Sequence, residues 1–578
     1  MVQWYYLLEV LDMAYFLKKS KQHNKTYIAI YESFYSPDSN GTRHKCVRSL
    51  GSIESLIESG IPDPVDHYKK EIAKMNEERK SKNENKKFNQ KLISDVSPER
   101  YLGYFPLSNI LNTLDVKQHF DYMQSTTSFK FSVYDVFSSL VFARAVAPLS
   151  KHKTFHDILP SLYKDVSFSY DQLLEAVEFV GSEYEKFVEI FTAATTDNYG
   201  TDTSHTYFDC TNFYFEIDRE SDFQKKGPSK EFRRDPIVGL GLLLDANMIP
   251  IGMKMYPGNE SEKPVLRNVI SSLKQQNNIS GRTIQVADKG LNCARNIIEA
   301  KNSNDGYIFS KSVKRLSAKE LKWFINENNT YTDVLDRFGN IRYSYTSCTD
   351  DFEYSYTDEN TNRTFKKTVK EKRVLTFSPK LKRKKLIEID KMVEKAKKLK
   401  HSQAKKEEYG ESSRYVRFTD DNGDKAKAVL DEEAIEKDRM FAGYNLLVTS
   451  EYNMSEQQIY DAYHNLWRIE ESFRVMKSEL DARPVYLHKE NCIKGHFLIC
   501  YASVLLIRLF QFKILENRYS TSVICKFIKE FKVVKIGENR YINLTRASEF
   551  ITDLAAALGH PITNYYLTDK QIKMMHTR

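Results

Sequence analysis

From Thr206 to Ser310 the hydrophobic pattern changes in an order that few folds accept. The stretch "TYFDCTNFYFEI" (206–217) is β-branched and aromatic, as a strand is. After a basic polar loop, "PIVGLGLLLDANMIPIGMKMY" (236–256) reads as two strands around a turn at Asp245 to Asn247. A helical pattern "KPVLRNVISSLKQQ", a strand "TIQVAD", a helix start "KGLNCARNIIEA" and a short strand "GYIFS" follow. This succession predicts an α/β fold around one mixed sheet. Asp209 interrupts the first strand and Asp288 ends the fourth, and the order brings the two to neighbouring strands. A charge inside so apolar a strand is costly unless it is paired or metal-bound. One Asp at a strand end is usually a turn or cap residue, but two at these positions point to a shared role.

A second constraint lies far downstream. Ser455 to Pro484, "SEQQIYDAYHNLWRIEESFRVMKSELDARP", is predicted as one amphipathic helix, opened by a Ser455/Gln458 capping box and ended by Pro484. Leu466, Ile469, Phe473, Met476 and Leu480 recur at three- and four-residue steps and form a stripe for the core. Tyr463, Glu470, Arg474 and Lys477 fall within about 60° of one another on the helical wheel, so a phenol, a carboxylate and two cations share an edge. Taken alone, that edge is either a solvated face with ordinary ion pairs or one wall of a site. "YNLLVTS" (444–450), directly before it, reads as a further strand of the same sheet. Glu470 can therefore lie beside Asp288 in space, although 182 residues separate them in sequence.

A chain of 578 residues exceeds one core and suggests two to four domains. Pattern changes divide it into an N-terminal β-hairpin module (1–64), a charged helix and linker (65–100), a helical DNA-binding region (101–200) and a first part of the sheet core (201–312). A β-rich basic insertion (313–441), a second part of the core (442–515) and a C-terminal helical region (516–578) complete the division. In the first module, residues 25–51 alternate around a polar turn, "SPDSNG". In the helical region, "RAVAPLSKHKTFHDI" places Arg144, Lys151 and Lys153 at a helix end and loop, a structural or a DNA-contacting arrangement.

The net charge of +9 suits an anionic partner without specifying one. Its distribution says more, because residues 363–406 hold eighteen Lys/Arg and four Asp/Glu, more positive charge than the whole chain nets. Such a block is either a solvated surface or a nucleic-acid contact. Seven cysteines without a CxxC pair argue for a reduced intracellular protein without a zinc site. The apolar start contains Glu9 and Asp12 and lacks a basic lead, so it does not read as a signal peptide, and Met13 is an alternative start to Met1. Lys494, His496 and Arg508 interrupt the apolar run 493–510, which favours a buried core helix over a membrane span.

In these residues the chain resembles the DDE transposases of bacterial insertion sequences, in the group with a Tyr-Arg-Glu-Lys signature. The matching residues are Asp209 in "YFDCTN", Asp288 in "VADKGL", and Tyr463, Glu470 and Lys477 in "YHNLWRIEESFRVMK"; "PGNESE" and "MFAGYNLLVTS" also look like family segments. The resemblance spans roughly residues 101–510, and the N-terminal hairpin fits one subgroup. It implies an RNase H-like mixed sheet interrupted by a β-rich insertion and preceded by a helical domain. Asp209, Asp288 and Glu470 would be catalytic and bind two Mg²⁺ ions, with Mn²⁺ as a substitute. Tyr463, Lys477, Arg474 and Lys289 would hold DNA phosphates, and Trp323 would stack on a flipped base or serve the core. The implied activity is cut-and-paste transposition: cleavage at the terminal inverted repeats, then transfer of the freed ends into double-stranded target DNA by a homodimer. The implied location is the bacterial cytoplasm, at the nucleoid, with no membrane partner. One residue departs from the signature. Leu466 stands where the family has Arg, and of the nearby arginines Arg474 is better placed on the wheel than Arg468, which is about 160° from Glu470. Two other readings use the same fold: a catalytically silent DNA-end-binding protein, for which a missing carboxylate would be the sign, and a standalone nuclease.

Overall fold

A computed structural model of the chain describes residues 14–22, 25–36, 41–89, 97–230, 234–276, 281–326, 329–358, 361–401, 406–419, 427–483 and 485–576. The two candidate start residues, the tip of the predicted N-terminal turn (37–40) and Pro484 lie outside the described residues. The chain divides into two compact units, Met1–Asp95 and Val96–Arg578.

The first unit is a three-stranded antiparallel sheet, β1 (Tyr15–Gln22), β2 (Lys25–Ser36) and β3 (Gly41–Ser52), followed by helices α1 (Ile53–Glu58) and α2 (Pro64–Asn89). The predicted hairpin is β2–β3, with Tyr35 opposite Thr42. β1 adds an edge strand that the sequence analysis does not anticipate. Its burial fades to exposed lysines, which leaves no clean alternation to read.

The second unit begins with a short strand, β4 (Glu99–Tyr101), and a set of helices that includes α3 (Val133–Val146), α4 (Tyr170–Ser182) and α5 (Tyr184–Tyr199). A nine-stranded mixed sheet comes next. It comprises β5 (His205–Tyr214), β6 (Ile237–Leu244), β7 (Pro250–Pro257), β8 (Ile284–Ala287), β9 (Gly306–Lys311), β10 (Thr332–Leu335), β11 (Ile341–Thr357), β12 (Thr364–Phe377) and β15 (Tyr444–Thr449). A small pair, β13 (Val416–Thr419) and β14 (Lys427–Leu430), stands apart from it. The spatial order is β10-β11-β12-β15-β9-β8-β5-β6-β7. β5, β8 and β9 are mutually parallel, while β6 runs antiparallel to β5 and β7 to β6.

Helices α6 (Glu262–Gln275) and α7 (Ala294–Asn302) cover the face that carries Phe208, Cys210, Leu243 and Ala287. The other face of β5, with Tyr207 and Phe213, belongs to the main core. The insertion differs from expectation in one respect. Apart from β13 and β14, its strands extend the core sheet, because β12 pairs with β15 along six residues, from Lys372 opposite Thr449 to Phe377 opposite Tyr444. Helices α8 (Ala318–Phe324) and α9 (Pro379–His401) lie in the same segment, α9 carrying much of the basic block.

Behind β15 come α10 (Glu456–His464), α11 (Trp467–Arg474), α12 (Glu490–Leu509) and α13 (Thr521–Glu530). By length and composition α12 could cross a membrane, but it is buried along almost its whole length inside the protein. It meets α4 backbone to backbone at Gly181 and Gly495. A Cβ at either glycine would overlap a facing carbonyl, that of Asn491 or that of Val177. The predicted C-terminal helical region also contains strands β16 (Lys532–Lys535), β17 (Arg540–Asn543) and β18 (Tyr566–Thr568), which join β4 in a four-stranded sheet. Leu102, Phe213, Phe497 and Leu567 share a single hydrophobic core, so the helical segment 101–200, the sheet and the C-terminal segment fold together.

Candidate active site

The parallel pairing of β5 with β8 sets Phe208 beside Ala287. One residue further on are Asp209, still in β5, and Asp288, just past the end of β8, close enough for each charge to act on the other. Asp209 lies on the same side of β5 as Tyr207, Thr211 and Phe213, since side chains alternate along a strand. That face receives α10 and α11. Tyr463 donates from its hydroxyl to Asp288 Oδ1 at 3.0 Å. At the other end, the Lys477 ammonium sits 5.4 Å from the centre of the Phe213 ring.

The predicted 30-residue helix is not continuous. The capping box at Ser455 and Gln458 is present, with both reciprocal bonds. The helix then tightens at Asn465 and Leu466, where N–H groups bond three residues back (Leu466 to Tyr463, Arg468 to Asn465, Ile469 to Leu466). It loosens into a π turn over Val475–Glu479 and stops there, short of Pro484. A 3₁₀ step turns the chain about 120° per residue against 100° in an α-helix, so two such steps add about 40°. Tyr463 and Glu470, seven residues apart, move from about 20° on one side of each other to about 20° on the other. The edge therefore survives the kink. Glu470 itself is exposed and lies midway in sequence between Tyr463 at Asp288 and Lys477 near Asp209. All five residues of the predicted apolar stripe are buried, Leu466 at 8% exposure and Met476 at 0% among them.

Two residues that the sequence analysis passed over belong here. Lys230 Nζ lies 3.7 Å from Asp209 Oδ1 and 3.2 Å from Glu262 Oε1, and it also donates to the carbonyl of Cys210. Lys230 comes from the loop between β5 and β6, and Glu262 from the first turn of α6, behind the Ser261 cap. The available signal was "PGNESE", noted as a segment but not searched for a carboxylate. Burial pushes the Asp209 carboxyl up to about 6, the Lys230 charge opposes this, and Glu262 and Asp288 add to it. Burial, together with Lys230, lowers Lys477 to about 8. Burial and the Asp288 charge raise the Tyr463 phenol.

The remaining predicted residues separate by burial. Lys289 is exposed beside Asp288, on the rim of a cleft of about 370 Å³ that also takes in Lys311, Lys314, Lys385 and Arg414. Arg474 is exposed and 3.5 Å from Glu471, whose carboxylate is turned inward to Arg508 at 3.1 Å. Arg468 packs over Trp467 and Phe512. Lys153 is exposed, but Arg144 and Lys151 are not the surface cations the loop suggested; both are buried, Arg144 on the carbonyls of Leu480 and Leu149. Trp323 is partly buried against the second hydrophobic cluster, so the core half of its expectation describes its position.

The site's donors suit a divalent cation in kind. Asp209 and Asp288 offer hard oxygens from neighbouring strands, and Asp209, raised chiefly by burial, has the Lys230 ammonium as a nearby cation. Among the described residues, no three acidic, His or Cys side chains converge closely enough to hold a metal ion. Glu470 shares the edge without joining the two aspartates in a closed cluster.

The model of the transposase DDE domain family matches residues 215–506, just over half of the chain. The chain belongs to this family. The matched region includes Asp288, Tyr463, Glu470 and Lys477 and begins six residues after Asp209. Among solved structures, a piggyBac transposase in a synaptic complex with hairpin DNA is similar at 12% identity and a TM-score of 0.36. That similarity covers 74% of this chain and 77% of the other. A search of the curated proteins returned no match.

Proposed function

We propose that this DDE transposase is a metal-dependent DNA-cleaving and strand-transferring enzyme with an RNase H-like core, encoded by a bacterial insertion sequence and working at the nucleoid in the cytoplasm. The observation that carries the proposal is the hydrogen bond from Tyr463 to Asp288, which follows Ala287, the partner of Phe208, and so lies near Asp209. Strand order β7-β6-β5-β8-β9, with β6 antiparallel to β5 and the last three of the five parallel, supports the RNase H-like reading.

Asp209 and Asp288 would hold Mg²⁺, with Glu470 as the third donor and two ions as the full complement; Mn²⁺ would substitute. Bound there, the metal supplies Lewis acidity toward a phosphodiester and its attacking oxygen. The protein's own groups do the rest. Tyr463 fixes the Asp288 carboxylate so that one oxygen faces the site. Lys230 keeps Asp209 ionised and would withdraw toward Glu262 as a metal charge arrives. Lys477, Lys289 and Arg474 attract backbone phosphates along the helix edge and the adjoining cleft, and Lys153 supplies a further cation on the helical side. Terminal inverted repeats and target DNA would be the substrates, and a homodimer would join two ends.

The test uses labelled duplexes carrying the inverted repeats that flank the gene, a target plasmid, and Mg²⁺ or Mn²⁺. Asp209→Asn, Asp288→Asn and Glu470→Gln should each abolish cleavage while duplex binding persists. Unchanged cleavage in any one of them would remove that residue from the site. Joined end–plasmid products distinguish transfer from a nuclease that stops at cleavage.

A further inference from the structure

Away from the carboxylates, a cleft of about 530 Å³ opens between the loop after α3 and the segment that follows α11. Its floor is basic and buried. Arg144, Lys151 and His496 line it at 6%, 7% and 5% exposure. His496 Nε2 is 3.4 Å from the carbonyl of Ala482. A carbonyl only accepts, so Nε2 carries the proton and Nδ1 keeps a lone pair. Lys151 Nζ lies 3.4 Å from that Nδ1 and donates to it. An ammonium has three N–H bonds, and among the described residues Lys151 has no second hydrogen-bond partner.

Among the described residues that line the cleft, Asp481 is the acid, and it serves Arg144. Arg144 spends its two terminal nitrogens on carbonyls. The charges acting on Lys151 are Arg144, Cys500 and Cys492, with no carboxylate among them. Burial, and then Arg144, lower Lys151 to about 7. Lys151 is thus held out of water beside a second cation with no carboxylate acting on it, and a group that brings negative charge and oxygen acceptors relieves that deficit and fills its open N–H bonds. Lys153 and His152 stand exposed at the rim, where they would draw such a group in.

We propose that this cleft is a phosphate-binding site, in which Lys151 gives its two uncommitted N–H bonds to phosphate oxygens beside the Arg144 charge. The phosphate belongs either to a nucleic-acid backbone or to free phosphate; the first source rests on the DNA-transposing function proposed above.

Thermal unfolding of the full chain in sodium sulfate against sodium chloride, at matched ionic strength, tests the site with sulfate as the probe. The sulfate-induced rise in Tm should be several degrees larger in the wild type than in Lys151→Met, and Lys151→Arg should retain it. The Lys151→Met transition in chloride reports that the variant folds. Sulfate keeps its charge from about pH 6 to 8, so a larger rise at the lower pH reads proton uptake by Lys151, which an anion must draw in above about 7. Equal rises in wild type and Lys151→Met overturn the proposal. A duplex of about 20 bp, followed by anisotropy across salt, identifies the source: a backbone phosphate predicts a log–log salt slope shallower by about 1 in Lys151→Met. Equal slopes with a lost sulfate response assign the cleft to free phosphate. A wild type that binds no duplex counts against the transposase reading and leaves the sulfate comparison to decide this one.

Discussion

Arg508 is the anchor whose removal most directly tests how the Glu470 helix is held. It is 1% exposed, near the end of α12, and its guanidinium reaches back to α11. Nε donates to Ser472 Oγ at 3.1 Å, Nη1 to Glu471 Oε2 at 3.1 Å and Gln511 Oε1 at 2.7 Å, and Nη2 to the Arg468 carbonyl at 3.3 Å. Arg508→Met leaves the Glu471 carboxylate, 8% exposed, with Thr521 Oγ1 at 2.9 Å and the outlying Arg474. Breaking a buried pair costs about 3–5 kcal/mol, and the two remaining partners put this case near the lower figure. The Arg468 carbonyl keeps the Ser472 hydroxyl at 3.2 Å and adds little, for a total of about 3 kcal/mol. Glu471→Leu alone should cost about 3 kcal/mol, because it strands the Arg508 charge. The double variant removes both charges, keeps the Thr521–Gln511 and Ser472–Arg468 bonds and retains only the packing penalty. It should fall at least about 2 kcal/mol short of the sum of the singles. Urea unfolding of the full chain by circular dichroism measures this as a midpoint shift at constant slope. Additive losses would refute the argument that the pair, and not each side chain separately, docks α11 on α12.

Lys230→Ala should tighten Mn²⁺ binding, measured by electron paramagnetic resonance on the protein without DNA, by about tenfold (~1.4 kcal/mol), since the ammonium competes for Asp209 and Glu262; weaker binding would mean that Lys230 organises the carboxylates. Gly495→Ala should cost at least about 1–3 kcal/mol through overlap with the Val177 carbonyl, read as a lower urea midpoint, whereas Gly60→Ala, which has open space but a positive φ, should cost less. His576 packs against the Tyr104 and Tyr163 rings, and burial, then His560, lower it to about 4. The unfolded chain takes up this proton below about 6.5 while the folded chain refuses it, so about 2–3 kcal/mol of stability should be lost between pH 6.5 and 4. His576→Phe should flatten that part of the stability–pH curve.

Local periodicity made much of the sheet and helix legible. The Ser455 cap and the buried stripe followed from spacing, because each depends on neighbours within a few residues, and the pairing of β5 with β8 followed from the order of the elements between them. Long-range pairing was not legible in this way. Nothing within β12 announces that it binds β15 some seventy residues later, and so the insertion read as separate. β16 to β18 are four, four and three residues long, too short for a period to stand out. Arg144 and Lys151 looked like surface cations because they end a helix. The cover comes from Leu480 and from His496 on α12, more than 300 residues away. Lys230 and Glu262 were missed for a related reason: a salt bridge across 32 residues leaves no spacing rule behind.

Leu466 shows why a signature can lose a residue and keep its geometry. In a continuous α-helix the position three after Tyr463 points about 60° away from it, and an arginine there would need its long stem to reach the phosphate edge. Here Leu466 occupies the tight turn between α10 and α11, buried at 8% exposure with Ile469 and Phe473 in the main core. Its side chain holds the kink against the sheet, and an arginine in the same place would bury a charge with no acid assigned to it. Under the proposed function, the cation directed at phosphate is then sought further along the chain. Arg468 is occupied over Trp467 and Phe512, whereas Arg474 is exposed one turn beyond Glu470 and tethered loosely at 3.5 Å to Glu471. Because Arg508 already satisfies Glu471, Arg474 can leave that carboxylate at low cost when a phosphate approaches. Arg474→Ala should therefore weaken duplex binding and reduce its salt slope by about 1 while leaving the urea midpoint within about 0.5 kcal/mol of wild type. A large stability loss with an unchanged salt slope would return Arg474 to a structural role.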